Sequence, residues 1–133
     1  MGKPTKPMHQ PFEGRNPQGQ FTKITKDMMD SPAWRDLSLR QRGLYLHLKS
    51  KYRQKTLHGN LESSNRDNLS LPYSEWYQEL YGDYRTFSKD MRKLEDNGFI
   101  RTVRYGKATH ECNLYELTGD WSKWEPPKQH HRA

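Results

Sequence analysis

With 133 residues, of which only 31% are apolar, and a mean hydropathy of −1.27, the chain has core material for one small domain and leaves other segments loose and polar. A net charge of +7 and a pI of about 9.5 point to a polyanionic partner, nucleic acid or an anionic membrane surface. No apolar run approaches a membrane span and the lone Cys112 cannot build a disulfide framework, so a membrane-spanning or disulfide-stapled protein is excluded and a cytoplasmic one expected.

Residues 1–20 hold four of the eight prolines with several Gly, Gln and Lys, and read as a disordered N-terminal arm that cannot bury enough surface to offset its ordering entropy. Phe21-Thr22-Lys23-Ile24 alternates apolar and polar and predicts a short strand. Ser31 before Pro32 predicts an N-cap and first residue of a short helical turn carrying Trp34. Ser38 and Gln41 form a capping-box pair at the head of a longer helix, along which Gln41, Leu44, Tyr45, Leu48 and Tyr52 share a face. Gly43 inside that helix costs roughly 1 kcal/mol against Ala, and a close helix-helix approach would account for it. Residues 55–68 are polar, with Gly, Asn and Ser, and read as a long loop. Leu69-Ser70-Leu71 predicts a small strand, and Pro72-Tyr73-Ser74 opens a helix whose core contacts are Trp76, Tyr77 and Leu80.

The most informative stretch runs from Leu80 to Ile100. Phe87, Met91 and Leu94 fall on one helical face, and Arg85, Lys89 and Arg92 fall together opposite them. Asp83 stands at the N-cap position and Gly98 at a left-handed C-terminal stop. Residues 99–105 then predict a strand, 106–110 a turn and 111–117 the return strand. Between residues 84 and 110 there are seven Lys or Arg against three acids, so more than half of the chain's net charge gathers in about a fifth of its length. Trp121 and Trp124 in the following segment are expected to pack back on the helices; a contact for a second protomer or a partner is the alternative.

Two segments carry a resemblance. A helix ending Leu94-Glu95, then Gly98-Phe99-Ile100 and a basic strand, resembles the recognition helix and wing of winged helix-turn-helix proteins. Ser31-Pro32-Ala33-Trp34, with Leu37-Ser38 and then Gly43-Leu44-Tyr45 and Leu48, is similar to the opening of small winged-helix proteins of plasmids, phages and conjugative elements of Gram-positive bacteria, replication and accessory DNA-binding proteins among them. The resemblance covers roughly residues 21–118 and leaves 119–133 as a tail. It implies an α+β fold, a three-helix core with a C-terminal β-hairpin wing. It also implies sequence-specific binding of double-stranded DNA in replication, transfer or transcriptional control, as a monomer or homodimer, beside a relaxase, replication or other element-encoded protein. The turn Tyr81-Gly82-Asp83-Tyr84 is bulkier and more polar than the family's, which has a small apolar residue after the glycine.

Carried onto these residues, the resemblance sends helix 84–97 into the major groove, with Arg85, Lys89 and Thr86 at base edges. Arg92, Lys93, Ser74 and Tyr73 would hold phosphates, and Arg104 and Lys107 would lie along an adjacent backbone or minor groove. Tyr84 suits either a DNA contact or the edge of the core stripe. A winged-helix module for protein-protein interaction is the alternative of a different class, and a single-strand binder using exposed aromatics is a third. No P-loop, dinucleotide fingerprint, zincin motif or nucleophile triad is present, so no enzyme is expected. No metal or other cofactor is expected either, since His130-His131 and Cys112 lack any zinc-motif spacing.

Overall fold

The first three helices are each opened by a hydroxyl cap. Thr25 Oγ1 accepts from the Met28 amide at 3.2 Å and starts α1 (Lys26–Asp30). Ser31 is shared: its hydroxyl donates to the Met28 carbonyl at 2.6 Å and accepts from the Trp34 amide at 3.2 Å, closing α1 and opening α2 (Pro32–Arg35) with Pro32 in its first turn. Ser38 and Gln41 make both bonds of the expected capping box at the start of α3 (Leu39–Ser50). The structure is a computed structural model that describes residues 21–57, 60–71, 81–106 and 113–127. It is α+β: α3 is followed by an antiparallel pair, β1 (Gln54–Leu57) and β2 (Asn60–Ser64), then by α4 (Tyr84–Asp96), a second antiparallel pair, β3 (Ile100–Arg104) and β4 (Leu114–Leu117), and a 3-10 helix (Asp120–Lys123).

The core lies where α3 packs on α4 and α4 on β3. Leu44, Tyr45 and Leu48 of α3 meet Phe87, Met91 and Leu94 of α4, with Leu69, Leu71, Phe99, Ile100, Tyr115 and Leu117 closing the far side. An aromatic chain runs through it. Trp34 meets Tyr45 and Phe99 edge-on at 5.9 and 5.8 Å, and Trp121 stacks on Phe99 at 6.2 Å with the rings 7° apart. Leu69 exchanges both backbone bonds with Tyr115, at 3.1 and 2.8 Å, so a single residue of the expected 69–71 strand joins β4.

Three expectations need correction. Residues 21–24 form no strand: they have no backbone partner among the described residues, and Ile24 instead leans on the core while Thr25 caps α1. Residues 55–68 are largely hairpin rather than loop, since β1 pairs with β2 across a bulge at Lys55/Thr56; Asn65 fastens its base by accepting from the Arg53 amide and donating to the Lys51 carbonyl. Gly43 is exposed, and a Cβ there would meet no described atom within 4 Å, so none of the described helices makes the close approach expected at it. Trp121 and Trp124, which follow β4, pack against the core as expected of them. The N-terminal arm, the helix expected after Pro72, and Trp76, Tyr77, Leu80, Cys112 and His130-His131 lie outside the described residues. No helix among the described residues is long and apolar enough to cross a membrane.

Candidate nucleic-acid interface

The candidate surface is built on α4. Asp83 caps it as its position predicts, accepting from the Arg85 amide at 3.0 Å and from the Thr86 hydroxyl at 3.0 Å. Those two bonds hold its carboxyl below the usual range, so the cap is ionised at neutral pH and complements the helix dipole. At the other end Gly98 takes φ +85°, and its Cα sits so close to the 3-10 helix that an added Cβ would lie 2.6 Å from the Asp120 carbonyl carbon. Phe87, Met91 and Leu94 are buried, and Arg85, Lys89 and Arg92 are exposed on the opposite face. Asp96, exposed in the last turn of that face, limits the positive strip to the first two and a half turns.

The β3–β4 hairpin stands beside this strip. Glu95 Oε1 accepts from the Thr102 amide at 2.9 Å and fixes the hairpin against the helix. Arg101 pairs across strands with Glu116 at 2.9 Å. A bulge between Thr102 and Arg104 turns the strand end outward, leaving Arg104 and Tyr105 exposed, Tyr105 by 71%. Helix and hairpin leave a small groove of about 90 Å³ between them, lined by Tyr84, Ser88, Arg92, Thr102, Tyr105 and Asn113 among others. Tyr84 is 56% exposed with its ring centroid 6.1 Å from that of Phe87, so it sits on the boundary between the core stripe and the open face.

Arg85, Lys89 and Arg92 therefore share the exposed face of α4, Tyr84 and Arg92 also line the groove against the hairpin, and Arg104 is exposed at the end of β3. Two expected contacts do not join them. Lys93 is ion-paired with Asp36 at the end of α2, and that hydrogen bond, ahead of the burial that opposes it, lowers the Asp36 carboxyl. Thr86 spends its hydroxyl on the Asp83 cap. Tyr73, Ser74 and Lys107 lie outside the described residues.

Asp90, which belongs to no sequence motif, fixes how α4 is presented. It is 1% exposed and receives the Arg40 guanidinium at 2.6 and 3.3 Å, the Gln41 amide at 3.0 Å and the Tyr81 hydroxyl at 2.8 Å. Burial would raise its pKa, but these bonds and the Arg40 charge outweigh it and hold the carboxyl low. Burial, then the bond to Asp90, pushes the Tyr81 phenol up. The bulky turn residue Tyr81 thus belongs to a polar clamp between α3 and α4. A sequence signal existed: at 100° per residue Asp90 falls about 40° from Leu94, on the buried side. Asn97 closes the other end, donating to the Ala33 carbonyl at 3.0 Å and to Asp36 at 3.1 Å. Set against protein-family models, curated proteins and solved structures, the chain finds no match.

Proposed function

We propose that the chain is a winged helix-turn-helix domain that binds double-stranded DNA, with α4 as the recognition helix and the β3–β4 hairpin as the wing. The observation that carries this reading is the exposed strip of Arg85, Lys89 and Arg92 on a helix whose other face is buried, flanked by a hairpin bearing Arg104. A helix of this width fits the major groove, where Arg85 near its N-terminus pairs with a guanine edge and Lys89 follows one turn on. Arg92 and Arg104 meet phosphates, and Lys107 of the hairpin turn adds another in sequence order. Thr86 and Lys93 are left to the fold. The resemblance supplies the setting: a cytoplasmic, non-enzymatic DNA-binding protein of a mobile element, acting in replication, transfer or transcriptional control beside an element-encoded relaxase or replication protein.

The test is a salt titration on duplex DNA. The three phosphate-neutralising cations Arg92, Arg104 and Lys107 give a slope of log K against log salt of roughly −3. Absence of duplex binding even at low salt would remove the reading and move the same helix to the protein-interaction class.

A further inference from the structure

A second cleft, of about 370 Å³, opens away from α4, between the segment before α1, the C-terminal half of α3 and the chain leaving β4. Its volume lies within the range of roughly 300–1,000 Å³ typical of small-molecule sites. Lys23, Lys49 and Arg66 stand around it, and among the described residues its lining contains no Asp or Glu. Among the described residues none of these three cations has a carboxylate partner. Burial, and then the charge of Lys23, depresses the Lys49 ammonium, so like charges are held together where an anion would relieve them. Tyr45 lines the same cleft while only 2% exposed, and among the described residues its hydroxyl has no hydrogen-bond partner. Burial alone pushes that phenol to about 12, so it is a donor at every ordinary pH. A buried hydroxyl left unsatisfied is costly, and an acceptor entering the cleft removes the cost. The half-buried rings of Tyr52 and Trp121 supply apolar surface. A terminal phosphate, with up to two charges and three free oxygens, answers this set of donors better than a phosphodiester with one charge and two.

We propose that this cleft binds a nucleoside monophosphate, its phosphate held by Lys23, Lys49 and Arg66 with the Tyr45 hydroxyl donating to one oxygen, and its base lying against Tyr52 and Trp121. The same chemistry is offered by a free nucleotide and by the 5′-phosphorylated end of a DNA strand. The site is separate from the duplex face and does not depend on it.

Calorimetric titration of the full chain with dAMP, inorganic phosphate, deoxyadenosine, and single-stranded tetranucleotides carrying a 5′-phosphate or a 5′-hydroxyl tests the assignment. The dAMP should bind more tightly than either phosphate or deoxyadenosine. Lys49→Gln should weaken it about tenfold, as loss of a charge-assisted bond does. Tyr45→Phe should weaken it by about three- to tenfold while leaving the ligand-free protein no less stable, because only an unsatisfied hydroxyl is removed. Arg35→Gln, which removes an exposed positive charge from α2, a helix that contributes nothing to the cleft lining, should leave binding unchanged. A 5′-phosphorylated strand binding at least as well as dAMP, with its 5′-hydroxyl counterpart silent, identifies the strand end as the source; tighter binding of dAMP identifies the free nucleotide. No dAMP binding at millimolar concentration overturns the proposal, as does equal binding by wild type, Lys49→Gln and Tyr45→Phe.

Discussion

Asp90 gathers donors from α3 and from the turn before α4 onto one carboxylate, and its removal strands all of them. Asp90→Ala leaves the Tyr81 hydroxyl and the Gln41 amide without an acceptor in the interior, so urea melts should show a loss of about 2–4 kcal/mol. Folding lowers the pKa of this group, which sets the sign of its pH dependence. Its contribution is complete above the unfolded-state value near pH 4 and disappears as the pH falls through the lower folded value. Wild type should therefore lose more stability between about pH 5 and pH 3 than Asp90→Asn, which has no charge to neutralise. The caps Thr25, Ser31, Ser38 and Asp83 involve neighbours within three residues, and for Ser31, Ser38 and Asp83 that was enough to read them from the chain. Asp90 was not legible in the same way, because its partners Arg40 and Gln41 are distant in sequence and only the packing of α3 on α4 brings them to it.

As an element, α4 was legible because its apolar and cationic residues repeat at the helical period and its ends carry Asp83 and Gly98. The β1–β2 hairpin was hidden because its polar residues do not alternate with apolar ones, and pairing rather than composition defines it. Gly98→Ala tests the end of α4. It imposes an unfavourable φ and drives a methyl group into the Asp120 backbone, so a loss of about 2–3 kcal/mol is expected in thermal melts, with a change in tryptophan emission as the 3-10 helix shifts. A pair of substitutions separates reading from holding on the open face. Arg85→Ala should cost roughly 1–3 kcal/mol on a footprinted site and little on random duplex. Arg92→Ala should weaken both duplexes by a similar factor and flatten the salt slope by about one unit. Equal losses on both duplexes for Arg85→Ala would take base reading away from α4.

Across the whole molecule, the core is finished by residues that follow the hairpin. Trp121 covers Phe99, the 3-10 helix packs on α2, and the Trp121 amide donates to the Gly98 carbonyl at 3.0 Å. Trp121→Ala should cost about 2 kcal/mol in denaturant melts, below the value for a fully buried tryptophan because the ring keeps some exposure. The packing of the two tryptophans was legible from their size and hydrophobicity. The place they dock was not, since it depends on the backbone of Gly98 being bare enough to receive Asp120.

A ribosome delivers this core in a fixed order. Phe99 emerges well before Trp121, so one face of its ring stays wet while the cationic helix is already outside. A translational pause between the two would prolong a state with charged surface complete and aromatic interior open. The timing of synthesis over that interval thus governs how long the nascent chain offers a sticky patch to chaperones and to its own copies.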